Sequence, residues 1–324
     1  MRSAVTLLTA LVSLPACVRD ETANGRPDAP VSLPGPDAGV TPADLSLTLD
    51  ELYFAVVGDT RPPVSDDTAG YPTAIITQIW QDVQAESPRP PFALATGDYM
   101  YASTSGREQM PQLDLYFQAR SAYSGQLFAA IGNHECTTAT ASNCGTGTLN
   151  GKPVYQVTSN YTTFLDRFVR PLGLYNPWYA VHIDASDRSW TAKVVIVAAN
   201  AWVDAQATWL EGALSVPTDY TFIVRHEQSS VTETPGVAPS NAIIARHPYT
   251  LLIVGHSHRY QHLSAREVII GNGGAPLANT GNYGYGIVLQ RSDGSLQVDM
   301  YDYQSGTPDT KFRFAVKPDG TPAP

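Results

Sequence analysis

Five short apolar runs punctuate this chain, and each is followed within a few residues by side chains able to bind metal. Residues 52–57 precede Gly58-Asp59, residues 92–95 precede Gly97-Asp98-Tyr99-Met100-Tyr101, and residues 127–131 precede Gly132-Asn133-His134-Glu135. Residues 221–224 precede Arg225-His226-Glu227, and residues 251–254 precede Gly255-His256-Ser257-His258. Runs of this length bounded by turn formers predict buried strands. Between them the period lengthens: Ile75, Ile76, Ile79 and Val83 predict a helix over residues 73–85. Helices are also predicted over 108–123, 161–168 and 204–214. Residues 178–183, 193–198 and 268–270 read as further strands, and 286–301 as a hairpin turning at Asp293-Gly294. Strand–helix alternation early and strands late predict an α/β fold, two packed mixed β-sheets flanked by helices in four layers. The pattern leaves strand order open. Ligands of open α/β sheets sit beyond the carboxyl ends of the strands. The five motifs would therefore meet on one rim.

The chain has 324 residues and a formal charge of −10, from 20 Lys and Arg against 30 Asp and Glu. That balance argues against nucleic acid or an anionic membrane surface as a partner recognised by bulk charge. It leaves an anionic substrate open, because a bound metal pair dominates its local field. Arg2 and the apolar stretch 4–14, too short to span a bilayer, read as a secretory leader over residues 1–17. Its end, Leu14-Pro15-Ala16-Cys17, resembles the lipobox of bacterial lipoproteins, in which the cysteine carries lipid. Ordinary cleavage near Ala16 is the alternative. Either reading predicts export, to the periplasm or cell envelope, with a lipid on Cys17 as membrane anchor in the first. Residues 18–45 carry Pro27, Pro30, Pro34, Pro36 and Pro42 among small polar residues and read as a flexible tether. Residues 46–324 then form one catalytic domain. In an oxidising compartment Cys136 and Cys144 are expected to pair, with free thiols or a thiolate ligand as alternatives.

Hydrolysis of a phosphate ester needs an activated water, neutralisation of phosphoryl charge and a proton for the leaving alkoxide. Two metal ions about 3.5–4 Å apart supply the first two. Asp98 is the candidate to be shared between both ions. The ordered set GD, GD-x-x-Y, GNHE, strand-end His and GHxH resembles the calcineurin-like metallophosphoesterases. Tyr101, three residues after Asp98, and Gly271-Asn272-Gly273-Gly274 resemble the purple acid phosphatase branch. The resemblance covers residues 53–285. It implies Asp59, Asp98, Tyr101 and His258 around one metal, and Asp98, Asn133, His226 and His256 around the other. Fe(III) would suit the first site and Zn, Mn or Fe(II) the imidazole-rich second. His134 would stand outside the metals as general acid, with Glu135 orienting its ring. One position departs from the family pattern: Arg61 stands where the superfamily has histidine and the purple branch glycine. Arginine is no ligand, so Tyr101 must complete the first site. Arg61 is a candidate phosphate contact, or a salt-bridge partner of Asp66 or Asp67. His262 lies near the last motif without matching it.

The expected function is a dinuclear-metal hydrolase of phosphate esters, foremost monoesters, with a metal-activated water as nucleophile. A phosphodiesterase of the same fold, or a tethered binding module with structural metals, are the alternatives. Substrate specificity is assigned to the loops 137–152 and 229–240.

Overall fold

The computed structural model describes residues 45–103, 107–136, 144, 146–149, 152–155, 158–278, 281–305 and 309–324. The leader over 1–17, the tether as far as residue 44 and part of the loop after Glu135 lie outside the described residues. In chain order the first elements are β1 (Leu45–Leu49), β2 (Tyr53–Val57), α1 (Thr73–Ala85), β3 (Phe92–Ala95), α2 (Gln109–Arg120) and β4 (Gln126–Ala129). A small hairpin, β5 (Thr146–Leu149) and β6 (Lys152–Tyr155), leads to α3 (Ser159–Phe164). Then follow β7 (Tyr179–Ala185), β8 (Thr191–Ile196), α4 (Asp204–Ser215), β9 (Tyr220–Val224), α5 (Val237–Ile244) and β10 (Leu251–Val254). The last strands are β11 (Tyr260–Ser264), β12 (Glu267–Ile270), β13 (Gly284–Gln290), β14 (Leu296–Asp302) and β15 (Asp309–Val316).

Two mixed sheets form the body. One has the order β1-β7-β8-β9-β10-β12-β11, the other β15-β14-β13-β2-β3-β4. Strands β8, β9, β10 and β12 run parallel, as do β2, β3 and β4. Parallel strands are buried on both faces and alternate between two cores. Phe222 and Val224 of β9 pack with Phe54 and Val56 of β2 in the large cluster between the sheets. Ile223 turns to the opposite face, with Leu210 and Leu214 of α4 and Ile243 and Ile244 of α5. Phe54 stacks on Phe92 at 5.0 Å and meets Phe222 edge-on at 5.0 Å, so one aromatic group joins both sheets. On the other sheet α1 buries Ile76, Ile79, Trp80 and Val83. This is the predicted α/β sandwich with helices on its outer faces.

Three parts differ from expectation. The tether's last residue, Leu45, already belongs to β1, an edge strand whose Leu47 aligns with Ile183 of β7. The loop after Glu135 contains the β5–β6 hairpin. The loop given to residues 229–240 runs into α5, because Pro239 sits in that helix's first turn, where its missing N–H costs nothing.

Candidate metal centre

Because β2, β3 and β4 are parallel in one sheet and β9 and β10 in the other, their carboxyl ends carry Asp59, Asp98, Asn133, His226 and His256 to a common rim. The turns there are sharp. Asp59, Asp98, His256 and His258 adopt left-handed backbone angles, with φ of 57°, 60°, 69° and 46°. Such conformations are costly for residues with a Cβ and gather where a site over-determines them. Glycines let the turns approach each other. A Cβ on Gly97 (φ 110°) would stand 2.6 Å from His226 Nδ1, and one on Gly271 would stand 2.4 Å from Asp59 Oδ2. The Gly271–Gly274 stretch thus lies against Asp59, and Ala275 N–H donates to the Asp59 carbonyl at 2.7 Å.

The side chains converge. His226 Nε2 lies 3.3 Å from Asp98 Oδ1, 3.1 Å from Asn133 Oδ1 and 3.3 Å from His256 Nδ1. His256 Nδ1 is 3.2 Å from Asn133 Oδ1, and His258 Nε2 is 3.7 Å from Asp59 Oδ1. The remaining ring nitrogens of two histidines face backbone carbonyls: His226 Nδ1 at 2.8 Å from Thr96 O, and His258 Nδ1 at 2.7 Å from Pro276 O. A carbonyl can only accept, so each Nδ1 carries the hydrogen and each Nε2 is turned inward, the orientation of metal-ligating histidines. The Asp59 carboxylate also accepts the His256 amide at 2.9 Å and 3.1 Å.

Asp59, Asp98, Asn133, His134 and His226 are all buried. Burial, aided by the Asp98 charge, pushes the Asp59 carboxyl well above its usual range. Burial also opposes ionisation of Asp98, but His226, His134 and Arg61 outweigh it and hold Asp98 well below. His226 is pulled down by burial yet held well above its ordinary value by Asp98. Burial pushes His258 down to about 4. The carboxyl groups of Asp59 and Asp98, the Asn133 amide oxygen and the imidazole nitrogens are the oxygen and nitrogen donors that divalent cations take. One ligand atom each of Asp59, Asp98 and His226 lie within 4.8 Å of one another, and the same is true of His226, Glu227 and His256. This donor set fits two metal ions.

Two expectations need correction. Glu135 does not orient the His134 ring. Its Oε1 accepts the amides of Tyr99 at 2.7 Å and Met100 at 3.2 Å, and its Oε2 those of Asp98 at 2.9 Å and Gly132 at 2.8 Å. The tight turn sends its carboxylate back under the Asp98 loop, and burial with the Asp98 charge pushes the carboxyl up to about 7. His134 Nδ1 is buried without a partner. Instead the ring meets Tyr101 edge-on at 4.3 Å, and its Nε2 lies 3.7 Å from Asp98 Oδ2. Second, Arg61 makes no salt bridge with Asp66 or Asp67. Its guanidinium lies over the Tyr101 ring at 4.8 Å, with Nε 3.6 Å from Asp98 Oδ2. The Tyr101 hydroxyl has no hydrogen-bond partner among the described residues. His262, away from this cluster, stacks on Phe314 at 3.8 Å and is a packing residue. Cys136 and Cys144 are joined in a disulfide.

Some participants were invisible in the sequence. Asn160 of α3 donates to the carbonyls of Ala102 at 2.7 Å and His134 at 3.3 Å, fixing one motif against another. The Thr96 and Pro276 carbonyls act through the backbone, where residue type carries no signal. Glu227 was visible only as a neighbour of His226.

Residues 52–260 match the family model of the calcineurin-like phosphoesterases. The chain belongs to that family. Among curated proteins none matches it. Solved structures similar to it include a purple acid phosphatase from yellow lupin (Lupinus luteus) seeds, 14% identical with a TM-score of 0.56. The match covers 82% of this chain and 54% of the lupin chain, so the chain spans about half that protein's length. GAP50, the anchor in the inner membrane complex of Plasmodium, is 12% identical over 82% of this chain and 89% of its own, with a TM-score of 0.55. A dimetal phosphatase from Danio rerio is 12% identical over 82% and 98%, with a TM-score of 0.52. These likenesses show a shared fold: the chain has the metallophosphoesterase fold with candidate ligand groups for two metals.

Proposed function

We propose that the protein is an exported dinuclear-metal phosphomonoesterase, with Asp59, Asp98, Tyr101 and His258 holding one ion and Asp98, Asn133, His226 and His256 the other. The observation that carries this reading is the convergence of five strand-end turns on one rim, with His134 beside the ligand set and no ligand itself. Bound ions would lower the pKa of a water and neutralise charge on the phosphoryl oxygens. Fe(III) suits the oxygen-rich side, and Zn, Mn or Fe(II) the imidazole-rich one. Arg61 reaches toward substrate phosphate as a planar donor. His134 gives its proton to the departing alkoxide. Burial, with Arg61, His226 and His258 adding to it, outweighs the Asp98 charge and pushes the His134 imidazole down to about 3, so it is neutral before substrate arrives. A phosphate dianion beside the ring favours the imidazolium, which readies the proton in the complex. Export, and a lipid on Cys17, rest on the leader pattern and agree with a disulfide at Cys136–Cys144.

The test is a His134→Ala variant. It should keep about two metal ions per chain on the two-metal arrangement, measured by elemental analysis, and lose about 10²–10⁴-fold in kcat on a generic phosphomonoester. Full turnover would remove His134 from the reaction. Rates on matched mono- and diester substrates decide between phosphatase and phosphodiesterase. A second reading, a tethered module with structural metals, draws support from the neutral state of His134 and from the fold shared with GAP50, named as an anchor. Absence of any hydrolysis in metal-loaded protein would favour it.

A further inference from the structure

Glu227 is fully buried directly after His226, yet the two form no ion pair among the described contacts. Its Oε1 accepts from Asn200 Nδ2 and from Thr234 Oγ1 at 3.0 Å. Its Oε2 is buried with no hydrogen-bond partner among the described residues. A buried carboxylate oxygen without a hydrogen-bond partner is a place for a cation or a water. One carboxylate oxygen of Glu227 and one ring nitrogen each of His226 and His256 lie within 4.8 Å of one another. Asn133 Oδ1 faces both imidazoles, at 3.1 Å and 3.2 Å.

The position of Glu227 is built rather than incidental. The buried Arg225 donates through Nε to the Glu227 carbonyl at 2.9 Å, and through Nη1 to Ser240 Oγ at 2.7 Å and Asn241 Oδ1 at 2.9 Å. Its Nη2 reaches Ser229 Oγ at 3.2 Å. One guanidinium thus ties the turn after β9 to α5 through the Glu227 main-chain carbonyl, while Asn200 and Thr234 both engage Oε1.

We propose that Glu227 is a further protein ligand, through Oε2, of the divalent ion held by Asn133, His226 and His256. The inference rests on the two-metal reading above and specifies one of its sites. A second carboxylate beside the shared Asp98 makes that site harder and raises its donor count above four. Relative to the same site without Glu227, it favours Mn²⁺ over Zn²⁺.

Metal-free wild type, Glu227→Gln, His256→Ala and the double variant are titrated with Mn²⁺ and with Zn²⁺ against a chelating dye, with bound metal counted by elemental analysis. Glutamine keeps an oxygen for Asn200 and Thr234. In Glu227→Gln one of two sites should weaken about 10–100-fold, the usual scale for losing a supporting metal-site group, with the larger loss for Mn²⁺. The effect should vanish in the His256→Ala background. Metal should add less stability to Glu227→Gln than to wild type, read as the urea midpoint with and without metal. Unchanged affinity and Mn²⁺ to Zn²⁺ ratio overturn the proposal. So does a loss of metal-free stability with an unchanged metal increment, which marks a purely structural role. Should Glu227→Gln not fold, Glu227→Asp, which keeps the charge but withdraws the oxygen, is read the same way: wild-type affinity overturns the proposal and weakened Mn²⁺ binding supports it. Wild type that takes up no metal overturns the two-metal reading as well; wild type with two ions and an unaffected Glu227 variant overturns this inference alone.

Discussion

Glu135 Oε2 accepts the amide hydrogen of Asp98 at 2.9 Å, so the residue after the candidate acid His134 supports the candidate bridging ligand. Four amides end on that carboxylate, from Asp98, Tyr99, Met100 and Gly132. In Glu135→Gln one amide pair must face an NH₂ group instead of an oxygen. Each amide left unpaired costs about 1–3 kcal/mol, so this variant should unfold at clearly lower urea even without metal. Had Glu135 only aligned the His134 ring, the variant would keep its stability and lose turnover alone.

Arg61 lies over Tyr101 with Nε 3.6 Å from Asp98 Oδ2, and its Nη1 donates to the Pro62 carbonyl at 2.9 Å. Arg61→Ala should raise KM, and the inhibition constant of inorganic phosphate by the same factor, about tenfold for a lost charge-assisted contact of about 1.4 kcal/mol. Arg61→Lys should recover part of it, since an ammonium keeps the charge but not the fork. If phosphate inhibition is unmoved while kcat falls, Arg61 serves Asp98 and not the substrate.

Lys193 of β8 points its ammonium at the end of α4, donating to the carbonyls of Ala213 at 2.9 Å, Leu214 at 3.4 Å and Val216. Burial pushes it down to about 8 from an ordinary 10.5. Between those values the unfolded chain holds the extra proton, so this group makes stability rise with pH across that window and contributes no slope below it. Urea midpoints at pH 8 and pH 10 should show the increment in wild type and lack it in Lys193→Met. Parallel pH profiles in the two proteins would contradict this.

Removing metal should loosen both sheets at one end. Chelation removes the stabilisation that bound ions give, about 2.7 kcal/mol for a site at a hundred times its dissociation constant. Amide exchange should accelerate at the turns after β2, β3, β9 and β10 together, while β14 and β15 are unaffected. Acceleration confined to one sheet would argue against a site spanning the two.

The rim was legible because local chemistry wrote it: short apolar runs, in four of five cases a glycine, then a ligand-type residue, with parallel strands aligning the ends. Strand order was not, since β1 pairs with β7 more than a hundred residues away, and periodicity holds no record of partners. The Leu45, Leu47, Leu49 alternation was present, but its boundary with a proline-rich stretch concealed it. Glu135 misled because adjacency to His134 suggested contact, whereas the turn points the two side chains apart. Glu227 was passed over for a similar reason: a carboxylate beside a histidine looks like an ion pair until the hydrogen bonds show one oxygen left over.

The oxygen donors Asp59, Asp98 and Asn133 come from one sheet and the imidazoles from the other, and the sheets meet through Phe54 and Phe222. Spacing between hard and soft donors is therefore governed by the thickness of the interior. Exchanging a buried phenylalanine could retune the chemistry at the rim while every ligand stayed as it is, which gives evolution a dial far from the reacting atoms.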